Sequence, residues 1–366
     1  MITEIIRSDA RQVADNLGRL LEPLAGSRVL VTGAAGFLGA FFLDVLDAFN
    51  ERHPASPARV HGLDNFMVGP PERISHLLGR PWLTLRTGDV SRPDDIEGTY
   101  DYIIHLASIG SPSIYRANPL QVIAANVQGT WNLLEMARKG ARGMLSFSSS
   151  EVYGDPMVVP TPETYHGNVS FTGPRACYDE SKRLGETLCA TYFRLHRVPV
   201  KVIRPFNVYG PGQRLDDGRI IPDLLRAALA GGPLVLLSDG GATRSFCYVS
   251  DFTEACLMLL MMPEADGEAF NVGNAEEVSI ATAARTMAEV AGQLMGGQPL
   301  PVLFETSAES AYLVDNPQRR CPDLNKLQRL TGFRARVMLR EGLSRSLASY
   351  REERDPLHQR RAALQG

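Results

Sequence analysis

Residues 29–39 read Val29-Leu30-Val31-Thr32-Gly33-Ala34-Ala35-Gly36-Phe37-Leu38-Gly39, and this stretch decides the fold. The apolar, β-branched run from Arg28 to Thr32 reads as a buried strand. Gly33, Gly36 and Gly39 follow, and then Ala40, Phe41, Phe42, Leu43, Val45 and Leu46 recur at helical spacing. Strand, glycine loop and helix in that order form the opening turn of a dinucleotide-binding unit. Gly33 permits the tight turn, Gly36 lets backbone approach a pyrophosphate, and Gly39 lets the helix pack close to the strand. The backbone from Ala35 through Phe37 and Leu38 then faces the phosphates with its free N–H groups.

A second strand, Arg59-Val60-His61-Gly62-Leu63, ends at Asp64, 25 residues past Gly39. A carboxylate at that spacing accepts hydrogen bonds from the adenosine ribose hydroxyls and repels a 2′-phosphate. NAD is therefore expected rather than NADP, with Asn65 beside the ribose. Leu83 to Val90 is a further strand, and its end places Asp89 and Val90 near the adenine. Tyr102 to Ser108 is another, ending in Leu106, Ala107 and Ser108, where small residues let the nicotinamide half lie against backbone. His105, inside that strand, reads as a packed core histidine.

Met144-Leu145-Ser146-Phe147-Ser148 runs into Ser149-Ser150-Glu151. Ligands of open α/β sheets lie beyond the carboxyl ends of the strands, so Ser149 and Glu151 are expected at a substrate. Tyr178 and Lys182 are four residues apart and share a helix face. A free phenol has a pKa near 10. A lysine ammonium and a nicotinamide cation nearby favour its phenolate, which makes Tyr178 a general base.

These residues resemble the extended short-chain dehydrogenase/reductase superfamily of nucleotide-sugar epimerases, dehydratases and decarboxylases, from about residue 27 to residue 350. Within it the chain is similar to the UDP-glucuronate decarboxylases (UDP-xylose synthases). The stretches that carry this are His105–Ser108, Ser111–Tyr115 with Asn118-Pro119, Ser150–Pro156, Gly173–Arg183, Tyr209–Pro211 with Asp217–Arg219, Thr243–Asp251 and Arg320–Asp323. The resemblance implies that Tyr178 takes the 4-hydroxyl proton, Lys182 lowers its pKa and holds the nicotinamide ribose, and Ser149 holds the 4-oxygen. It puts Glu151 by C5 of the sugar, Arg244, Arg320 and Asn207 near the diphosphate or sugar, and Tyr115 and Arg175 near the carboxylate. Arg219 joins them as a substrate ligand. Ser150 stands where 4,6-dehydratases carry an acid for the leaving hydroxyl, which disfavours dehydration. Ile109-Gly110 and Ser149 depart from the usual Pro-Ala and threonine of the decarboxylases. Two alternatives stay open: a nucleotide-sugar epimerase on the same scaffold, and a non-catalytic NAD-binding scaffold protein.

The expected fold is α/β: a doubly wound parallel (Rossmann) sheet with a smaller α/β C-terminal substrate-binding domain. The expected organisation is an N-terminal helical extension over 1–26, an NAD-binding domain over 27–205 with returning segments near 245–275, an interleaved substrate-binding part over 206–350, and a charged tail over 351–366. Ile5, Val13, Leu17, Leu20 and Leu21 give the extension its apolar face. A homodimer is expected from the resemblance, through the helices near Leu120–Lys139 and around Tyr178; Val122, Ala125, Trp131 and Leu134 suit such a surface and suit a buried core equally. The 366 residues are 44% apolar and 22% charged, as in soluble globular proteins, and the net charge of −3 offers no general attraction to nucleic acid or anionic membrane. There is no apolar run of ~18 residues. Five cysteines without a Cys-x-x-Cys pair argue for reduced thiols, a cytoplasmic location and no metal site.

Overall fold

The computed structural model describes residues 2–306 and 317–354. Seven strands form one sheet: β1 (Arg28–Thr32), β2 (Arg59–Asp64), β3 (Leu83–Thr87), β4 (Tyr102–His105), β5 (Gly143–Phe147), β6 (Val200–Pro205) and β7 (Ala269–Val272). Their order is β7-β6-β5-β4-β1-β2-β3, and every neighbouring pair is parallel. This is the doubly wound α/β fold expected from the sequence. A parallel sheet is covered on both faces, which is why these strands read as continuous apolar runs. Within β1, Leu30 belongs to one apolar cluster, while Val29 and Val31 belong to the other. That alternation is the two-residue period of a strand with a core on each side.

One face packs against α1 (Glu4–Leu17), α2 (Phe37–Arg52) and, across the sheet, residues Phe252 to Leu260 of a later helix. The other face meets Leu133, Leu134 and α3 (Ala176–His196) through Cys189 and Tyr192. Chain order reverses between β1 and β4, so the crevice between their carboxyl ends is the ligand position of such a sheet.

Two details differ from the sequence expectation. Ile6, not Ile5, points inward from α1, alongside Ala10, Val13, Ala14 and Leu17. The last helix, α4 (Leu339–Arg354), continues four residues into the expected tail; residues 355–366 lie outside the described residues. Of the two readings open for them, Val122 and Leu134 take the core one, fully buried. Trp131 is exposed, as are Leu120, Ile123 and Leu184 on the same two helices.

Beyond Tyr209 the chain builds smaller pieces. Leu234–Leu236 pairs with Val302–Phe304. Thr243–Ser245 lies between Glu277–Ser279 and Arg319–Arg320. That last pairing sets Arg320 directly opposite Arg244, on one face of a small sheet.

Candidate active site

The glycine loop is built on close backbone contact. Gly33 has φ +68, and a Cβ there would come within 2.8 Å of the Ala107 nitrogen. A Cβ on Gly39 would lie 2.0 Å from the Gly33 carbonyl oxygen. Gly36 stands at the N-cap of α2, whose first-turn N–H groups open into the crevice. Asp64, at the end of β2, is buried; its carboxylate accepts from Ala35 N at 2.9 Å and from Phe66 N at 2.8 Å. Burial raises its pKa, against the pull of these backbone donors. Asn65 donates to Asp89 at 3.1 Å. Burial works to raise the pKa of Asp89, but hydrogen bonds from Ser91 and Asn65 hold it below its ordinary value.

One cavity of about 1020 Å³ connects this loop to the ends of β4 and β5. It is at the upper end of the usual range for a ligand site, which leaves room for a second ligand beside a dinucleotide. Gly33, Ala35, Gly36, Phe37, Leu38, Gly39, Asp64, Asn65, Asp89, Val90, Leu106, Ala107 and Ser108 line one end. Tyr115, Ser149, Glu151, Arg175, Tyr178, Lys182, Asn207, Arg219, Arg244 and Arg320 line the other. The loop residues fit a dinucleotide: the close approaches exclude side chains where a pyrophosphate would pass, and a buried carboxylate waits at the ribose position.

Tyr178 is hydrogen-bonded to Ser149 and stacked on Tyr115, ring centres 5.1 Å apart. Burial pushes the Tyr178 phenol up to about 12, against the Ser149 bond. Lys182 donates to the Phe147 carbonyl at 2.6 Å and lies 5.8 Å from the Tyr178 ring. Burial brings its ammonium down to about 7. The sequence reading has the lysine lowering the phenol; in the protein alone, desolvation of both groups outweighs that attraction. His105 is a core residue, bonded to Thr32 at 2.9 Å and Thr130 at 3.2 Å, and burial holds it neutral at about 3.

Glu151 is the electrostatic centre of the sugar end. Arg320 grips both its oxygens, one at 2.7 Å, and Arg175 reaches it at 2.5 Å. Burial alone would raise its pKa, but Arg320, Arg175 and Arg244 hold the carboxyl at about 2. Arg244 is pushed down to about 10, by burial and then by its cationic neighbours Arg320 and Arg175. Arg320 therefore meets Glu151, where the resemblance puts it at the diphosphate or sugar. Arg219 is paired with Asp217 at 2.5 Å, and Asn207 donates to the Ser245 carbonyl at 2.9 Å.

Several residues in and behind the cavity wall escape sequence reading. Gly69 presses on the glycine loop, and a Cβ there would lie 2.4 Å from the Ala35 carbonyl oxygen. Arg214 donates to the Val68 carbonyl at 2.9 Å and ties that loop to the substrate side. Asn126 links Ser108, at 2.7 Å, to Ser181, at 2.9 Å. It lies on a π-helical turn, Ala124–Gly129, which breaks the 3.6 period that sequence patterns reveal. A glycine and a proline at 69–70 were the one available signal for the first of these.

The pattern of the NAD dependent epimerase/dehydratase family matches residues 29–273. The chain belongs to that family. UDP-glucuronic acid decarboxylase 3 of Arabidopsis thaliana is 38% identical over 316 residues, which is 86% of each chain. UDP-glucuronic acid decarboxylase 1 of Xenopus tropicalis is 38% identical over 326 residues, 89% of this chain and 72% of that one. The dTDP-glucose 4,6-dehydratase DesIV from Streptomyces venezuelae, solved with NAD bound, superposes with a TM-score of 0.74 at 26% identity. That match covers 89% of this chain and 98% of DesIV. Among the described residues, no helix is long and apolar enough to cross a membrane.

Proposed function

We propose that this protein decarboxylates UDP-glucuronate to UDP-xylose through a 4-keto sugar, with NAD regenerated in each turnover. The observation that carries this is Glu151 clamped between Arg320 and Arg175, with the buried Arg244 guanidinium close by. Arg320, Arg175 and Arg244 gather round Glu151 and hold its carboxyl at about 2. Guanidiniums make strong charge-assisted hydrogen bonds to carboxylate and phosphate, so a group of them at one end of a cavity suits a substrate that brings anions. A uronate carboxylate together with a diphosphate supplies them.

Gly33, Gly36, the first turn of α2, Asp64 and Lys182 would hold the cofactor, and NAD supplies the hydride acceptor for the sugar C4. Tyr178 Oη takes the proton of the 4-hydroxyl while Ser149 Oγ holds the same oxygen. Oxidation at C4 makes a β-keto acid. The C5–carboxylate bond breaks, carbon dioxide leaves, and the electron pair moves into an enolate at the 4-oxygen. Tyr178 and Ser149 are the donors placed to stabilise that oxygen. Glu151, with a carboxyl at about 2, carries no proton at neutral pH, so its part is to fix Arg320 and Arg175. Protonation at C5 and reduction at C4 complete the pentose. Ser150 is buried at the position where dehydration would need an acid.

The substrate is tested by mass spectrometry after incubation with UDP-glucuronate and NAD. A product lighter by one carbon dioxide supports the reading; an unchanged mass with a new C4 configuration would replace it with epimerisation. The proposed assembly is a homodimer, supported by the exposed Trp131, Leu120, Ile123 and Leu184 on two neighbouring helices. Sedimentation of Trp131→Glu tests it, with a monomer expected. The proposed compartment is the cytoplasm, supported by five free thiols.

A further inference from the structure

Three residues one helical turn apart on α3 hold three consecutive residues at the end of β5. Tyr178 bonds the Ser149 hydroxyl, Lys182 donates to the Phe147 carbonyl, and Glu186 accepts from Ser148 Oγ at 2.5 Å. The reaction as described uses the first two but not Glu186. Both Glu186 oxygens also take the Arg204 fork, Nε at 2.9 Å and Nη2 at 2.5 Å. Arg204 in turn donates to Tyr153 Oη at 2.7 Å and to the Glu163 carbonyl at 3.0 Å, so the carboxylate is locked in place.

We propose that Glu186 is a positioning residue: it aims Ser149 through Ser148 and favours the charged form of Lys182 one turn away. This rests on the assignment of Tyr178, Ser149 and Lys182 as the reacting set. Ser148 and Ser149 are consecutive and both meet α3. Pinning Ser148 therefore fixes the backbone from which Ser149 reaches Tyr178. The charge effect has the same geometry, because residues at i and i+4 share a helix face. Burial works against the Lys182 ammonium, and Glu186 is the largest group opposing that burial. The other titratable neighbours are Cys189 on the same helix, Tyr178, and His105 on β4, which is held neutral.

A purely structural ion pair between α3 and Arg204 would affect stability and leave the lysine titration alone. The chain has four lysines, at 139, 182, 201 and 326, so the side chains of 15N-lysine-labelled protein are few enough to follow by NMR. A Lys182→Met spectrum assigns the signal. In Glu186→Gln, which keeps an acceptor for Ser148, the Lys182 titration moves to lower pH and kcat falls about tenfold or more, with KM for the sugar nucleotide little changed. Ser148→Ala leaves the Glu186–Arg204 pair intact and lowers kcat without moving the lysine. Should Glu186→Gln not fold, Ser148→Ala decides alone: a kcat within about twofold of wild type overturns the proposal. In a folded Glu186→Gln, an unmoved Lys182 titration with near-normal kcat overturns it as well. Wild-type protein inactive on UDP-glucuronate would fault the substrate reading, and the titration, which needs no substrate, would still judge Glu186.

Discussion

Arg320 grips both carboxylate oxygens of Glu151 across 169 residues of sequence. The pair joins the end of β5 to the small sheet that also carries Arg244, so the sugar end of the cavity is closed by an ion pair between the two halves of the chain. Glu151→Gln leaves the buried Arg320 and the partly buried Arg175 short of a shared anion, which is costly for a buried charge. The expected outcome is a kcat at least about a hundredfold lower with NAD affinity nearly unchanged, since the cofactor end is untouched. Titration calorimetry with NAD beside steady-state kinetics checks the split.

The same pair sets an acid limit on stability. The folded pKa of Glu151 is depressed, from an ordinary 4.5 to about 2. Its contribution is therefore present above the unfolded value and is lost as pH falls through the folded one. Wild-type thermal stability should decline between pH 4.5 and about 2 more steeply than that of Glu151→Gln. Parallel melting curves across that window would contradict the charge assignment.

Tyr178 is the base in the proposed reaction. General-base groups contribute about a hundredfold to ten-thousandfold, so Tyr178→Phe should lose at least a hundredfold in kcat and still bind NAD. The free protein keeps the phenol protonated to about 12, and the positive nicotinamide should bring it down. Ultraviolet difference titration, with Tyr178→Phe subtracted, should show phenolate forming at lower pH when NAD is added. An onset unchanged by NAD would contradict the activation described here.

Asp64 is expected to choose the cofactor. Hydrogen bonds to a charged acceptor are worth about 1.5–3 kcal/mol, so Asp64→Ala should weaken NAD by roughly ten- to a hundredfold and narrow the preference over NADP. Asp64 also anchors Ala35 and Phe66, so Asp64→Asn is the control that keeps an acceptor there. Unchanged selectivity in both variants would show that the ribose is held elsewhere.

Gly69 offers a steric test of the loop that lies against Ala35. Its Cβ would meet backbone at 2.4 Å, so Gly69→Ala should weaken NAD binding. Gly297→Ala, where a Cβ meets nothing within 4 Å, should not. Equal affinities by calorimetry would remove Gly69 from the site.

The legible part of this molecule is what short-range sequence encodes. The glycine loop could be read because Gly36 and Gly39 both close on the Gly33 carbonyl within seven residues, and the Tyr178–Lys182 pair because a helix turn brings them together. The Arg320–Arg244 register was not legible, since it comes from strand pairing between segments 76 residues apart, a separation no local period records. The exposed face around Trp131 was half legible: the helix was clear, but surface and core stayed equally open for its apolar residues, and only the packing buries Val122 and Leu134 while leaving Trp131 exposed. The raised phenol of Tyr178 is a burial effect and needs the folded cavity.

The most direct test of a 4-keto decarboxylation is to run UDP-glucuronate through the NAD-loaded protein in deuterium oxide and read the product by NMR and mass spectrometry. The account predicts loss of one carbon dioxide, one deuterium at C5 from solvent, and the original hydrogen at C4, because the hydride leaves and returns without meeting water. A product of unchanged carbon count, or a pentose with deuterium at C4, would contradict it.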